Sequence, residues 1–119
     1  MKTFKGKEKL ATIINQIEKD GVGSKALIPS LKELRSIALD EKDPLVVKVL
    51  RLTYEYLEEN QSFDVEGQFE EDEEGNEFPI EVEDKENLLY LLALLLNADQ
   101  KINRDEIKDY RDALKNSLY

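Results

Sequence analysis

"FDVEGQFEEDEEGNEFPIEVED", residues 63 to 84, decides whether this chain is purely helical or also carries a sheet. Its large apolar residues form two sets of constant parity, Phe63, Val65 and Phe69 before the acidic centre and Phe78, Ile80 and Val82 after it. A period of two puts each set on one face of a strand. The other faces then carry Asp64, Glu66, Gln68 and Glu70 on the first strand and Glu77, Pro79, Glu81 and Glu83 on the second. A solvated loop has no reason to keep six apolar residues in phase, so the segment reads as a β-hairpin with one apolar and one acidic face. Gly67 marks a bulge in this reading, and Pro79 confines its strand to an edge.

On both sides of the hairpin the apolar period becomes helical. Leu10, Ile13, Ile14 and Ile17 form one stripe between Lys7 and Asp20, and "DGVGS" ends that first helix. A second helix carries Leu31, Leu34, Ile37 and Ala38; Pro29 lies awkwardly deep if Ser24 caps it, which predicts a bent first turn. "DPLVV" is a clear start, with Asp43 as cap and Pro44 at the first helical position. The third helix runs from there to about Asn60 and is apolar around most of its circumference, which predicts a central position. Asp84 caps a fourth helix whose run Leu88 to Leu96 is either buried or covered by a second subunit, so a homodimer through it stays open. "NRDE", Asn103 to Glu106, has capping-box spacing and predicts the start of a fifth helix striped by Ile107, Tyr110, Leu114 and Leu118. The expected fold is therefore mainly α: residues 1–119 form one bundle-like domain of about five helices, with the acidic hairpin, 62–84, inserted between helices 3 and 4.

The net charge of −10 comes from one place. Residues 1–61 hold eleven basic and ten acidic side chains, and residues 87–119 hold five of each. Residues 62–86 hold twelve acids against Lys85 alone. Charge concentrated in this way creates a local field that steers a cationic partner and repels phosphates, so nucleic acid is disfavoured as a partner.

Other chemistries have little to work with. The chain has no cysteine and no histidine, which removes disulfides, thiolate metal sites and the commonest general base. No signal-like amino terminus is present, and the nine-residue run Leu88 to Leu96 is about half of what crosses a bilayer, so a cytoplasmic protein without a membrane partner is expected. The exposed carboxylates lack the desolvated member that a catalytic pair needs, and no phosphate-binding glycine loop occurs, so neither an enzyme nor a cofactor is expected. Tyr54, Tyr56 and Tyr90 read as core residues with a wet hydroxyl. Glu70, Asp72, Glu74, Gly75 and Glu81 match positions of a calcium-binding loop, but strands flank them and Glu77 stands where an apolar residue belongs, so no metal site is assigned.

The candidate binding surface is thus Asp64, Glu66, Glu70, Glu71, Asp72, Glu73, Glu74, Glu77, Glu81 and Glu83, with Phe69 and Phe78 as apolar anchors. Two readings of it stand side by side. The carboxylates receive a basic partner, or they only keep an exposed two-stranded sheet from pairing with other chains.

The stretch "LKELRSIALDEKDPLVVKVLRLTYEYLEEN" followed by this acidic hairpin resembles the small acidic helical bacterial immunity proteins that neutralise a cognate toxin. "LLYLLALLLNADQKINRDEI" is similar, over some twenty residues, to the helical tellurite-resistance B family. The first resemblance implies a binding protein whose carboxylates meet a toxin's basic surface. The alternatives are a homo-oligomeric structural or adaptor protein and a calcium-responsive acidic module.

Overall fold

The Asp43 carboxylate accepts a hydrogen bond from the Val46 amide at 3.4 Å, and Pro44 follows at the first helical position, where its missing amide hydrogen costs nothing. In the computed structural model, which describes residues 1–119, this helix is α3 (Pro44–Asn60). Before it come α1 (Phe4–Asp20) and α2 (Leu27–Asp40); after it come the short strands β1 (Phe69–Glu71) and β2 (Glu77–Pro79), then α4 (Asp84–Leu96) and α5 (Lys101–Leu118). The architecture is the expected one: five helices, with a two-stranded antiparallel hairpin between helices 3 and 4. No helix is long and apolar enough to cross a membrane.

Four boundaries differ from expectation: Asp84 is the first residue of α4 and not its cap, Glu83 standing at the cap position without a side-chain bond, and the other three differ for local reasons. α1 begins at Phe4, because Thr3 caps it by accepting from the Gly6 amide at 3.0 Å. α2 begins at Leu27, which leaves Pro29 in the first turn, where amides have no helical acceptor to lose. Ser24 instead accepts from the Ala26 amide, outside the helix. α5 begins at Lys101, so "NRDE" is not used as a capping box; Asn103 donates to the carbonyl of Asn97 at 3.0 Å and ties the α4–α5 turn together.

The helices close into a ring. α3 packs against α2 and α5, α1 against α2 and α4, and α4 against α5, so every helix has two neighbours. The apolar stripes meet inside in one continuous cluster of 26 buried residues. Leu88, Leu91, Leu92, Leu94 and Leu95 of α4 are all within it, so most of that helix's apolar surface is already covered by the chain itself. Only Leu89, Tyr90, Ala93 and Leu96 retain appreciable exposure.

α3 and α4 are consecutive helices but not neighbours in the ring, because α5 lies between them. The connection from residue 61 to residue 83 must therefore cross the face of α5, which it does at Tyr110. That crossing places the acidic segment.

Candidate functional site

The first part of the crossing is core. Phe63 is fully buried and Val65 nearly so, although neither lies in a strand. The Phe63 ring stacks on Tyr110 of α5, with centroids 6.4 Å apart and planes 10° from parallel, and meets Tyr56 of α3 edge-on at 6.0 Å. Irregular backbone in a core needs partners for its carbonyls. Asn87, buried at the start of α4, supplies them by donating to the carbonyls of Phe63 at 2.9 Å and Val65 at 2.8 Å. Its side-chain oxygen Oδ1 accepts from the Tyr110 hydroxyl at 2.7 Å, and that hydroxyl accepts from the Gln68 side-chain amide at 2.9 Å. Burial raises the Tyr110 phenol pKa, which keeps this donor protonated.

Gly67 is not a bulge residue. It lies outside the paired strands and presses on Tyr110, so that an added Cβ would sit 2.5 Å from Cε1 of that ring. Glycine is required here by close approach.

Beyond Gly67 the segment leaves the core. β1 and β2 pair with Phe69 opposite Pro79, Glu70 opposite Phe78 and Glu71 opposite Glu77, and all six residues are exposed. Residues directly opposite one another share a face. Phe69 therefore lies with Glu71, Glu77 and Pro79, while Phe78 lies with Glu70 on the other side. The expected division into one apolar and one acidic face is overturned: each face carries one phenylalanine, 44% exposed for Phe69 and 50% for Phe78, among carboxylates. The cause is the register of pairing, which parity within each strand does not fix.

The loop is held by one of its own acids. Asp72 accepts from the amides of Glu74 at 2.9 Å and Asn76 at 2.8 Å and from the Asn76 side chain at 3.2 Å, while Gly75 takes a φ of +84°. These bonds, led by that from the Asn76 amide, hold the Asp72 carboxyl below its ordinary pKa. Asp64 is similarly occupied, accepting from the Tyr56 hydroxyl and from Ser62 at 3.2 Å; the bond from Tyr56 lowers its pKa. Two of the predicted binding acids thus hold the segment's own shape. Glu66, Glu70, Glu71, Glu73, Glu74, Glu77, Glu81 and Glu83 are exposed, and no three acids converge as metal ligands would.

α5 adds acids that sequence reasoning left out. A groove of about 480 Å³ runs between the crossing segment and α5, with Asp64, Glu66 and Phe69 on one wall and Asp109 and Asp112 on the other. A second, of about 320 Å³, shares Phe69 and Asp109 with it and adds Glu77 and Glu106. Asp109 is the joint between them. Its pKa is raised, first by partial burial and then by the charges of Asp112, Glu77, Glu106 and Asp105. Glu106 also accepts from the Tyr90 hydroxyl at 2.5 Å, a bond that with burial pushes the Tyr90 phenol up to about 12. The signal for this ridge was the spacing Glu106, Asp109, Asp112, one helical face, hidden because basic residues on the rest of α5 cancel it in a segment count.

Comparison with protein-family models, with curated proteins and with solved structures finds no significant match for this chain.

Proposed function

We propose that the chain is a protein-binding module that acts without catalysis, and that its acidic hairpin, with the adjoining ridge of α5, docks on a basic protein surface. Most concretely it is a cytoplasmic immunity protein that blocks a cationic toxin. The observation that carries this reading is the separation of tasks within one segment. Phe63, Val65 and Gly67 lock the root into the core, while the hairpin they support buries nothing and presents Glu70, Glu71, Glu73, Glu74 and Glu77 beside two exposed phenylalanines. A charged surface of this kind speeds encounter, and exposed aromatics supply anchors once contact is made. Phe69 borders the acidic grooves and Phe78 faces the opposite side, so a partner that wraps the hairpin meets an anchor on either face.

The test uses the product of the neighbouring gene as partner, with association kinetics followed across a salt series. Replacing Glu66, Glu70, Glu81 and Glu83 together by Gln should slow association at least about tenfold at low salt, and the gap should close as salt screens the wild type. Stability should be unchanged or slightly raised, since Glu-to-Gln relieves repulsion among neighbouring carboxylates. Equal rates at every salt concentration would leave the carboxylates as protection of a sheet edge only.

A further inference from the structure

A groove of about 390 Å³ lies at the opposite end of α3 from the hairpin. One wall is the last turns of α2, with Arg35 and Leu39 four residues apart; the other is the face of α3 that carries Pro44, Val47, Lys48 and Arg51 at helical spacing. Lys42, in the turn between the helices, closes one end. In a chain of net charge −10 this is a concentration of cations, and the nearby acids do not neutralise it. Asp43 also lines the groove, but its carboxylate is committed to both terminal nitrogens of Arg104, each at 3.0 Å, and to its helix cap. Glu41, which does not line the groove, accepts from the amides of Lys2 and Thr3 at 2.8 and 3.1 Å. Only Arg51 has a carboxylate partner, Glu55 at 3.1 Å; Arg35, Lys42 and Lys48 have none.

Two details indicate a ligand. The Nε–H of Arg35 is out of reach of water and meets no acceptor within the chain. A guanidinium without a carboxylate partner at a cavity wall suits binding of an oxyanion through its terminal nitrogens. Lys42 holds a φ of +58°, a conformation that glycine or asparagine adopts most cheaply at a helix end, yet the chain places a cation there. Between the cations the groove is apolar, and Leu39 is 51% exposed in it.

We propose that this groove binds the phosphate of a phosphate monoester, with Arg35, Lys42 and Lys48 holding the oxyanion and Leu39, Pro44 and Val47 receiving an apolar substituent. The hairpin does not prevent this. Lys48 of the groove and Tyr56 at the hairpin root are eight residues apart on α3, about 12 Å by helix rise. That exceeds the screening length of about 8 Å at physiological salt.

The experiment is a titration of the isotope-labelled full chain, followed by amide chemical shifts, with phenyl phosphate, inorganic phosphate and benzyl alcohol as separate probes. Phenyl phosphate should give saturable shifts confined to residues 35–51, with a Kd of about 1 mM or tighter. Inorganic phosphate should bind about tenfold more weakly and benzyl alcohol not saturably, because each offers half of the recognition. The Arg35→Gln, Lys48→Gln double variant should weaken phenyl phosphate at least about tenfold. Lys42→Gln, at an exposed turn position, should weaken it severalfold without disturbing the core. Vesicles containing phosphatidic acid distinguish the source of the phosphate. Retention that depends on Arg35 and Lys48, in addition to phenyl phosphate binding, assigns a lipid headgroup; phenyl phosphate binding without retention assigns a soluble ester. Absent or unsaturable shifts, shifts spread equally over distant lysines such as Lys5 and Lys25, or unchanged affinity in both variants would overturn the site.

Discussion

Residues 63–67 and 69–80 are written in the same alphabet, acids alternating with large apolar residues, and they meet opposite fates. Phe63 and Val65 are buried; Phe69 and Phe78 stand about half exposed a few residues later. The difference lies in what each part is laid against. The first crosses α5 where Tyr110 offers a ring and Asn87 offers donors for two carbonyls, so an irregular chain is buried without unpaired polar groups. The second pairs only with itself, and two strands of three residues have no sheet or helix to cover either face. Apolar patterning creates a demand for cover, and the neighbouring elements decide whether it is met.

Substitutions in the two parts test this contrast. Phe63→Ala should cost the most, about 3–5 kcal/mol in chemical denaturation, because it empties a filled site between Tyr56 and Tyr110. A cost below about 1 kcal/mol would mean the root is not core. Gly67→Ala should cost about 1–3 kcal/mol, since its Cβ would press into the Tyr110 ring. A neutral result would show that the close approach relaxes freely. Phe69→Ala and Phe78→Ala, the same chemical change as the first but on the exposed part, should each move stability by less than about 0.5 kcal/mol while weakening the partner complex. Comparable losses at Phe63 and Phe78 in the free protein would erase the distinction altogether.

The smallest effect is expected at Asp109, where the two parts adjoin α5. Its folded-state pKa is raised above the ordinary 3.8, so the stability linked to its protonation is fully present below that value and lost as pH rises through the folded one. At neutral pH its charge is therefore unfavourable. Asp109→Asn should stabilise the protein there by no more than a few tenths of a kcal/mol, given its exposure, and the gain should vanish in acid. Thermal denaturation at pH 7 and pH 3 measures both; a destabilised variant at pH 7 would show that the carboxylate is favourably bound instead.

Much of the fold is legible in the sequence because its causes are local. The helical stripes, the cap and proline that open α3, and the concentration of charge in residues 62–86 all depend on residues close in the chain. The apolar circumference of α3 does not make it central, since like every helix of the ring it has two neighbours, whereas the presence of a hairpin does follow from period two. The candidate surface was legible only in part. Its exposed glutamates were readable, whereas Asp72 and Asp64 turned out to hold the loop and the root, which requires knowing which amides and hydroxyls face them.

Five helices, their apolar faces and the place of the negative charge follow from residues close in the chain. Packing between distant elements sets which alternating residues are buried, how the strands are registered, and that Asp109 and Asp112 border the groove beside the hairpin root. It also decides that four cations from two helices and a turn share another groove at the far end. The physical reason is common to all of these. Periodicity is set by backbone geometry over a few residues, but cover, register and charge juxtaposition are set by elements far apart in the chain, here by the ring order that places α5 between α3 and α4.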